Sequence, residues 1–141
     1  MSRFVLDASV ALTWCFPDEN AWLAQHVADM FKQGDTALAP SFWPHEVLNA
    51  LLAGEKRKRI SKVLAQSFLD DLAALPIALE QFPVGVVFGR IQSLSREHGL
   101  TAYDAAYLHL ALDSGLPLAT LDDDLIRACK KVGLGLVGLS G

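Results

Sequence analysis

Apolar residues fall into two kinds of run along this chain. Short unbroken runs such as Phe4-Val5-Leu6 and Ala37-Leu38-Ala39 have the length of buried strands. Longer stretches repeat apolar residues every three to four positions, as in Leu64, Phe68, Leu69, Leu72 and Leu75, which is the stripe of an amphipathic helix. The pattern predicts strands over residues 3–6, 36–39 and 118–120, with further short strands at 77–79 and 136–139. Between them it predicts helices from about Ser9, over 20–32 closed by Gly34, from about Pro44 towards Gly54 and the basic residues that follow it, and from a Ser61 cap to Pro76. Three more follow: 84–98 ended by Gly99, 101–112 closed by Ser114-Gly115, and 123–131 running up to Gly133.

Strands alternating with helices predict an α/β fold, a mostly parallel central sheet covered by helices on both faces. No repeat, low-complexity tract or linker interrupts the order, so one domain over residues 1–141 is expected. In such folds ligands gather beyond the carboxyl ends of the strands. That edge is where two acids fall, Asp7 after the first run and Asp122 after Leu118-Ala119-Thr120-Leu121.

Two more acids occur on predicted helices, Glu46 just after Pro44 and Asp104 after Thr101. Each has a local explanation. Asp7 and Asp122 can cap helices, Asp123 and Asp124 can answer a helix dipole, Thr101 and Asp104 can form a capping box, and Glu46 suits a first helical turn. Yet Asp104 shares a helical face with Leu108 and Ala111, and Glu46 with the small residues Asn49, Ala50 and Ala53. Asp104 is thereby directed towards packed structure, where a buried charge needs a partner, and the small residues let the Glu46 helix approach the cleft closely. Carboxylates meeting in one cleft raise one another's pKa unless a cation fills the gap, and hard oxygen donors favour Mg²⁺ or Mn²⁺. Asp124 is the reserve for Asp122, and Asn49 is placed to orient Glu46 or a water.

Composition adds a partner surface and a charge asymmetry. Hydrophobic residues make up 52% of the chain and mean hydropathy is +0.29, which predicts apolar surface buried against another molecule. The helices near Phe16 to Met30 and Leu64 to Leu75 are the candidates for a two-fold interface or a partner's groove. Net charge is -4, which argues against indiscriminate coating of nucleic acid. Five of the 12 basic residues nevertheless cluster at Lys56, Arg57, Lys58, Arg59 and Lys62, a block suited either to phosphate contacts or to a solvated helix end. Cys15 and Cys129 lack any disulfide or zinc spacing, no apolar run approaches a membrane span, and the chain enters a strand by Phe4. The cytoplasm is the expected location.

Other chemistries fit less well. His26, His45, His98 and His109 form no recognisable acid–base pair for metal-free RNA cleavage. Asp7-Ala8-Ser9 lacks the second acid of an Asp-x-Asp phosphotransfer motif. A noncatalytic RNA- or protein-binding module is the remaining alternative, and presence of all four acids argues against it.

Asp7-Ala8-Ser9, the segment from Pro44 to Ala50, the segment from Leu100 to Tyr107, and Leu118-Ala119-Thr120-Leu121-Asp122 together resemble the PIN-domain nucleases, and more narrowly the VapC-type ribonuclease toxins. The resemblance spans essentially the whole chain in order. It implies a three-layer α/β/α fold and a Mg²⁺- or Mn²⁺-dependent endoribonuclease in which water activated by the metal cleaves RNA. It places the four acids on Asp7, Glu46, Asp104 and Asp122, with Ser9 and Thr120 as supporting hydroxyls. It also implies a homodimer and a cognate VapB-like antitoxin as partner. The run Asp122-Asp123-Asp124 departs from the family pattern and leaves the fourth ligand open between Asp122 and Asp124.

Overall fold

The computed structural model describes residues 2–17 and 21–138. At its centre is β1 (Arg3–Leu6), whose Phe4, Val5 and Leu6 are fully buried. It pairs in parallel with β2 (Thr36–Pro40) on one side and with β4 (Leu118–Ala119) on the other, and β3 (Ile77–Glu80) extends the sheet beyond β2. The order is therefore β3-β2-β1-β4, all parallel. Such a sheet needs cover on both faces, and its apolar strand runs record that. Because β2 and β4 lie on opposite sides of β1, the chain changes direction at the β1/β4 boundary, where a crevice opens at the carboxyl ends of the two strands.

Helices α1 (Ala8–Cys15), α2 (Ala21–Lys32), α3 (Trp43–Lys56) and α4 (Lys62–Ala73) follow the first two strands. Ser61 caps α4 by accepting from Leu64 N–H at 3.1 Å, as the sequence predicts. Helix α3 starts at Trp43 and runs through Gly54 to the basic block at Lys56, as the sequence predicts, and that glycine packs under the Phe16 ring. A Cβ there would stand 2.6 Å from the ring, so only the bare backbone fits. The predicted helix 84–98 is three joined pieces, α5 (Val84–Val86), a π-helical stretch Val87–Ile91 that contains Gly89, and α6 (Gln92–His98).

Helix α7 (Ala102–Ser114) packs against β1, β2 and β4 and buries Ala105, Ala106, Tyr107, Leu108, Leu110 and Ala111. Helix α8 (Asp123–Val132) buries only Leu125, Ala128 and Cys129 and turns its charged side outward. The strand predicted at 136–139 reduces to one parallel bridge between Leu136 and Leu118, cut short as the chain turns at Gly138 with φ 81°; residue 139 lies outside the described residues.

No helix among the described residues is long and apolar enough to cross a membrane. Exposed large apolar side chains include Trp22 on α2 and Val63 and Leu64 on α4, within or beside the two stretches read as partner surfaces. Leu48, Leu52, Val84, Phe88 and Tyr103 add apolar surface that the sequence pattern did not single out.

Candidate active site

Asp7 is the first residue beyond β1, and its N–H donates to Ala119 O at 3.0 Å, which ties it to the end of β4. It occupies the N-cap position of α1 without making a side-chain capping bond. Its Oδ2 instead accepts from Ser9 Oγ and from Thr120 Oγ1, each at 2.7 Å. Ser9 Oγ in turn accepts from Leu121 N–H at 3.1 Å, and Thr120 Oγ1 from Asp122 N–H at 3.0 Å. Two hydroxyls thus lock the loops after β1 and β4 together around one carboxylate, with Asp7 and Thr120 buried.

Glu46 lies in the first turn of α3, half-buried, and its Oε1 accepts from the Tyr107 hydroxyl at 2.5 Å. Tyr107 is fully buried on α7, one turn beyond Asp104 on the same face. Asn49, expected to orient Glu46 or a water, is exposed and makes no bond to Glu46 among the described residues. The signal for Tyr107 was its three-residue spacing from Asp104.

Asp104 is half-buried, and its N–H donates to Thr101 Oγ1 at 3.1 Å, one half of the predicted capping box. Asp122 caps α8, its Oδ1 accepting from Leu125 N–H at 2.9 Å. Asp124 points elsewhere: it is exposed and paired with Arg127 Nη1 at 2.8 Å on the surface. Within the acidic run, Asp122 is the residue whose charge acts on Asp7 and Asp104.

Burial and the neighbouring acids' charges act on the proton affinity of Asp7, Glu46 and Asp104. Burial pushes the Asp7 carboxyl above its ordinary range and the Asp122 charge adds to that, while the Thr120 and Ser9 bonds pull the other way. Burial also raises Glu46, helped by the Asp7 charge and opposed by the Tyr107 bond. Asp104 is pushed up to about 6 by burial and then by Asp122, Asp7 and Glu46. The Tyr107 phenol is raised as well, chiefly by burial and by the neighbouring Asp7 charge, so it stays protonated and donates. No basic side chain figures among the charges acting on these three acids.

Three desolvated carboxylates, Asp7, Glu46 and Asp104, with Asp122 acting on two of them, form an all-oxygen donor set of the chemistry a hard divalent cation requires. Among the described residues no three His, Cys, Asp or Glu side chains are drawn together closely enough to hold an ion as they stand. The donor set is all oxygen, which fits a hard divalent cation in its chemistry. The basic block is separate. Arg57 caps the far end of α3, eleven residues and roughly 16 Å from Glu46 at the helical rise, and Arg59 lies 4.8 Å above the Phe16 ring.

The chain is 29% identical over 123 residues to Ribonuclease VapC3 of Pyrobaculum aerophilum, covering 87% of this chain and 92% of that protein. In three dimensions it resembles PAE2754 from Pyrobaculum aerophilum, with a TM-score of 0.67, 25% identity, and 90% of this chain and 79% of that one covered. FitAcB from Neisseria gonorrhoeae shares the fold, with a TM-score of 0.60, 20% identity and 96% of each chain covered. The PIN domain family pattern matches residues 4–131, and the chain, with its parallel sheet and four acids from separate elements, belongs to the PIN domain family.

Proposed function

We propose that this protein is a Mg²⁺- or Mn²⁺-dependent endoribonuclease, the toxin of a VapC-type toxin–antitoxin pair. The observation that supports the reading is that Asp7, Glu46 and Asp104, from three separate elements, are raised by burial and by one another's or the Asp122 charge, with no basic side chain among the charges that act on them. The kinship to Ribonuclease VapC3 supports RNA as the polymer cut.

Asp7, Glu46, Asp104 and Asp122 would hold the cation. When bound, it supplies water activation and neutralises charge on the scissile phosphate. The protein's own groups prepare that site. Thr120 and Ser9 favour the ionised form of Asp7 against its burial and fix its Oδ2. Tyr107 fixes Glu46 in the same way through Oε1. Lys56, Arg57, Lys58, Arg59 and Lys62 hold the RNA backbone at a distance from the acids, where positive charge does not compete with the metal.

The antitoxin would lie in the apolar channel of about 630 Å³ lined by Trp14, Phe31, Phe68, Leu72, Leu75 and Pro76, between α1, α2 and α4. Exposed Val84 and Phe88 suit a homodimer contact. The cytoplasm, where RNA is available, is the proposed location.

The deciding experiment is digestion of total RNA with Mn²⁺ or with EDTA, comparing the native protein with Asp104→Asn and mapping the ends. Metal-dependent cuts that leave 5′-phosphates and vanish in the variant are expected. EDTA-resistant cleavage would overturn the metal reading, and RNA binding without any cleavage would make the chain a binding module.

A further inference from the structure

Beside the acids runs a groove of about 690 Å³ lined by Phe42, His45, Glu46, Leu48, Asn49, Leu52 and Tyr103. We propose that this groove receives an unpaired nucleobase next to the scissile phosphate, stacked on Tyr103 and read at its edge by Asn49 and His45. The inference rests on the ribonuclease reading and adds a specificity pocket to it.

Four observations carry it. Glu46 itself lines the groove, so a nucleotide whose phosphate reaches the acids has its neighbouring base at the groove mouth. Tyr103 is 60% exposed, although it sits next in sequence to Asp104. Its ring is braced edge-on by Phe42 at 5.1 Å, and Phe42 is braced in turn by Tyr107 at 5.7 Å, the residue that holds Glu46. An exposed aromatic ring is thus tied to the acid cluster through two packed contacts, which gives a base stacked on it a fixed distance from the cut.

The lining chemistry selects the occupant. It contains no lysine or arginine, so it does not suit a phosphate. It offers aromatic and leucine surface with an exposed amide and an exposed imidazole, a set matched to a flat neutral ring with hydrogen-bonding edges. Asn49 is exposed on the groove and makes no bond to Glu46 among the described residues, so its amide is placed to donate and accept. A base inside a duplex cannot present its face to Tyr103, so the geometry requires a loop, bulge or single strand at the cut.

The test uses a pool of single-stranded RNA oligonucleotides of randomised sequence, cleaved in Mn²⁺ by the native protein and by Tyr103→Leu, Tyr103→Phe and Asn49→Leu, with the cut ends sequenced. The native protein should prefer particular bases at one position beside the cut. Tyr103→Leu, which keeps apolar bulk without an aromatic face, should flatten that preference and raise KM about tenfold with a smaller change in kcat. Tyr103→Phe should retain both, and Asn49→Leu should change which base is preferred. Mn²⁺ affinity by calorimetry should match the native value in all three, since none of these residues is a ligand. Native preference and KM in Tyr103→Leu would overturn the proposal. So would a change in its solution mass with cleavage preference intact, which would make the groove a protein-docking face. If the native protein leaves the pool uncut in Mn²⁺, the ribonuclease reading itself falls and takes this inference with it, an outcome distinct from cleavage without base preference.

Discussion

Tyr107 donates its hydroxyl hydrogen to Glu46 Oε1 at 2.5 Å, joining the buried helix α7 to the first turn of α3 across 61 residues of chain. The bond holds the carboxylate's orientation and favours its ionised form in a site where burial and the Asp7 charge work against ionisation.

Removing that hydroxyl should therefore weaken metal binding without dissolving the fold. Tyr107→Phe keeps the ring that Phe42 packs against and deletes one hydrogen bond to a charged group, worth about 1.5–3 kcal/mol. We expect a fall of about tenfold or more in kcat/KM for RNA cleavage and a weaker Mn²⁺ isotherm. Unchanged Mn²⁺ affinity in a folded variant would show that Tyr107 only fills space.

Thr120→Val tests the other brace. It conserves shape but removes the donor to Asp7 Oδ2 and the acceptor for Asp122 N–H. Two buried or half-buried partners lose their bond, so a stability loss of about 1–3 kcal/mol by urea unfolding is expected, together with a higher Asp7 proton affinity. Ser9→Ala should act in the same direction. A variant with native stability and native pH dependence would contradict the hydroxyl clamp.

Most of this architecture could be read from residue order, and the exceptions have physical causes. Phe4-Val5-Leu6 and the Ser61 cap are local signals, decided by neighbours within a few positions, and they formed as read. The seating of Gly54 against Phe16, thirty-eight positions earlier, has no local signal, and Tyr107 was missed because its partner is 61 residues away. Asp122 and Asp124 look alike in sequence. Only the turn of α8 separates them, sending Asp124 to Arg127 and leaving Asp122 beside the cluster. The strand at residue 136 failed because pairing ended after one bridge, which no local pattern encodes.

Reversing charge at the far end of α3 should alter RNA affinity and leave the metal site alone. Arg57 lies eleven residues from Glu46, close to three helical turns, so it falls on nearly the same side of the axis. Arg57→Glu combined with Lys58→Glu should raise KM and flatten the dependence of RNA binding on salt by about two counterions. Mn²⁺ affinity should stay native. An unchanged salt slope would return this block to the status of a solvated helix end.

The carboxylate cluster also sets a pH dependence of stability whose sign can be worked out. Asp104 is raised to about 6 from an ordinary value of 3.8. Between those two values the native protein holds a proton that the unfolded chain has released, so raising the pH through this window favours unfolding. Asp7 and Glu46 are shifted upward too and push in the same direction. Asp35, held below its ordinary value by its bond to the Ser2 amide, pushes the other way, so the comparison must be made against a variant. The melting temperature of the metal-free protein should fall more steeply between about pH 4 and pH 6.5 than that of Asp104→Asn, which carries no titrating group at this position. At neutral pH the metal-free variant should then be the more stable of the two. Mn²⁺ should reverse the order, since a ligand at about a hundred times its Kd adds about 2.7 kcal/mol to the form that binds it. Parallel pH profiles for the two proteins without metal, or an equal Mn²⁺ shift for both, would mean that Asp104 neither feels the other acids nor holds the cation.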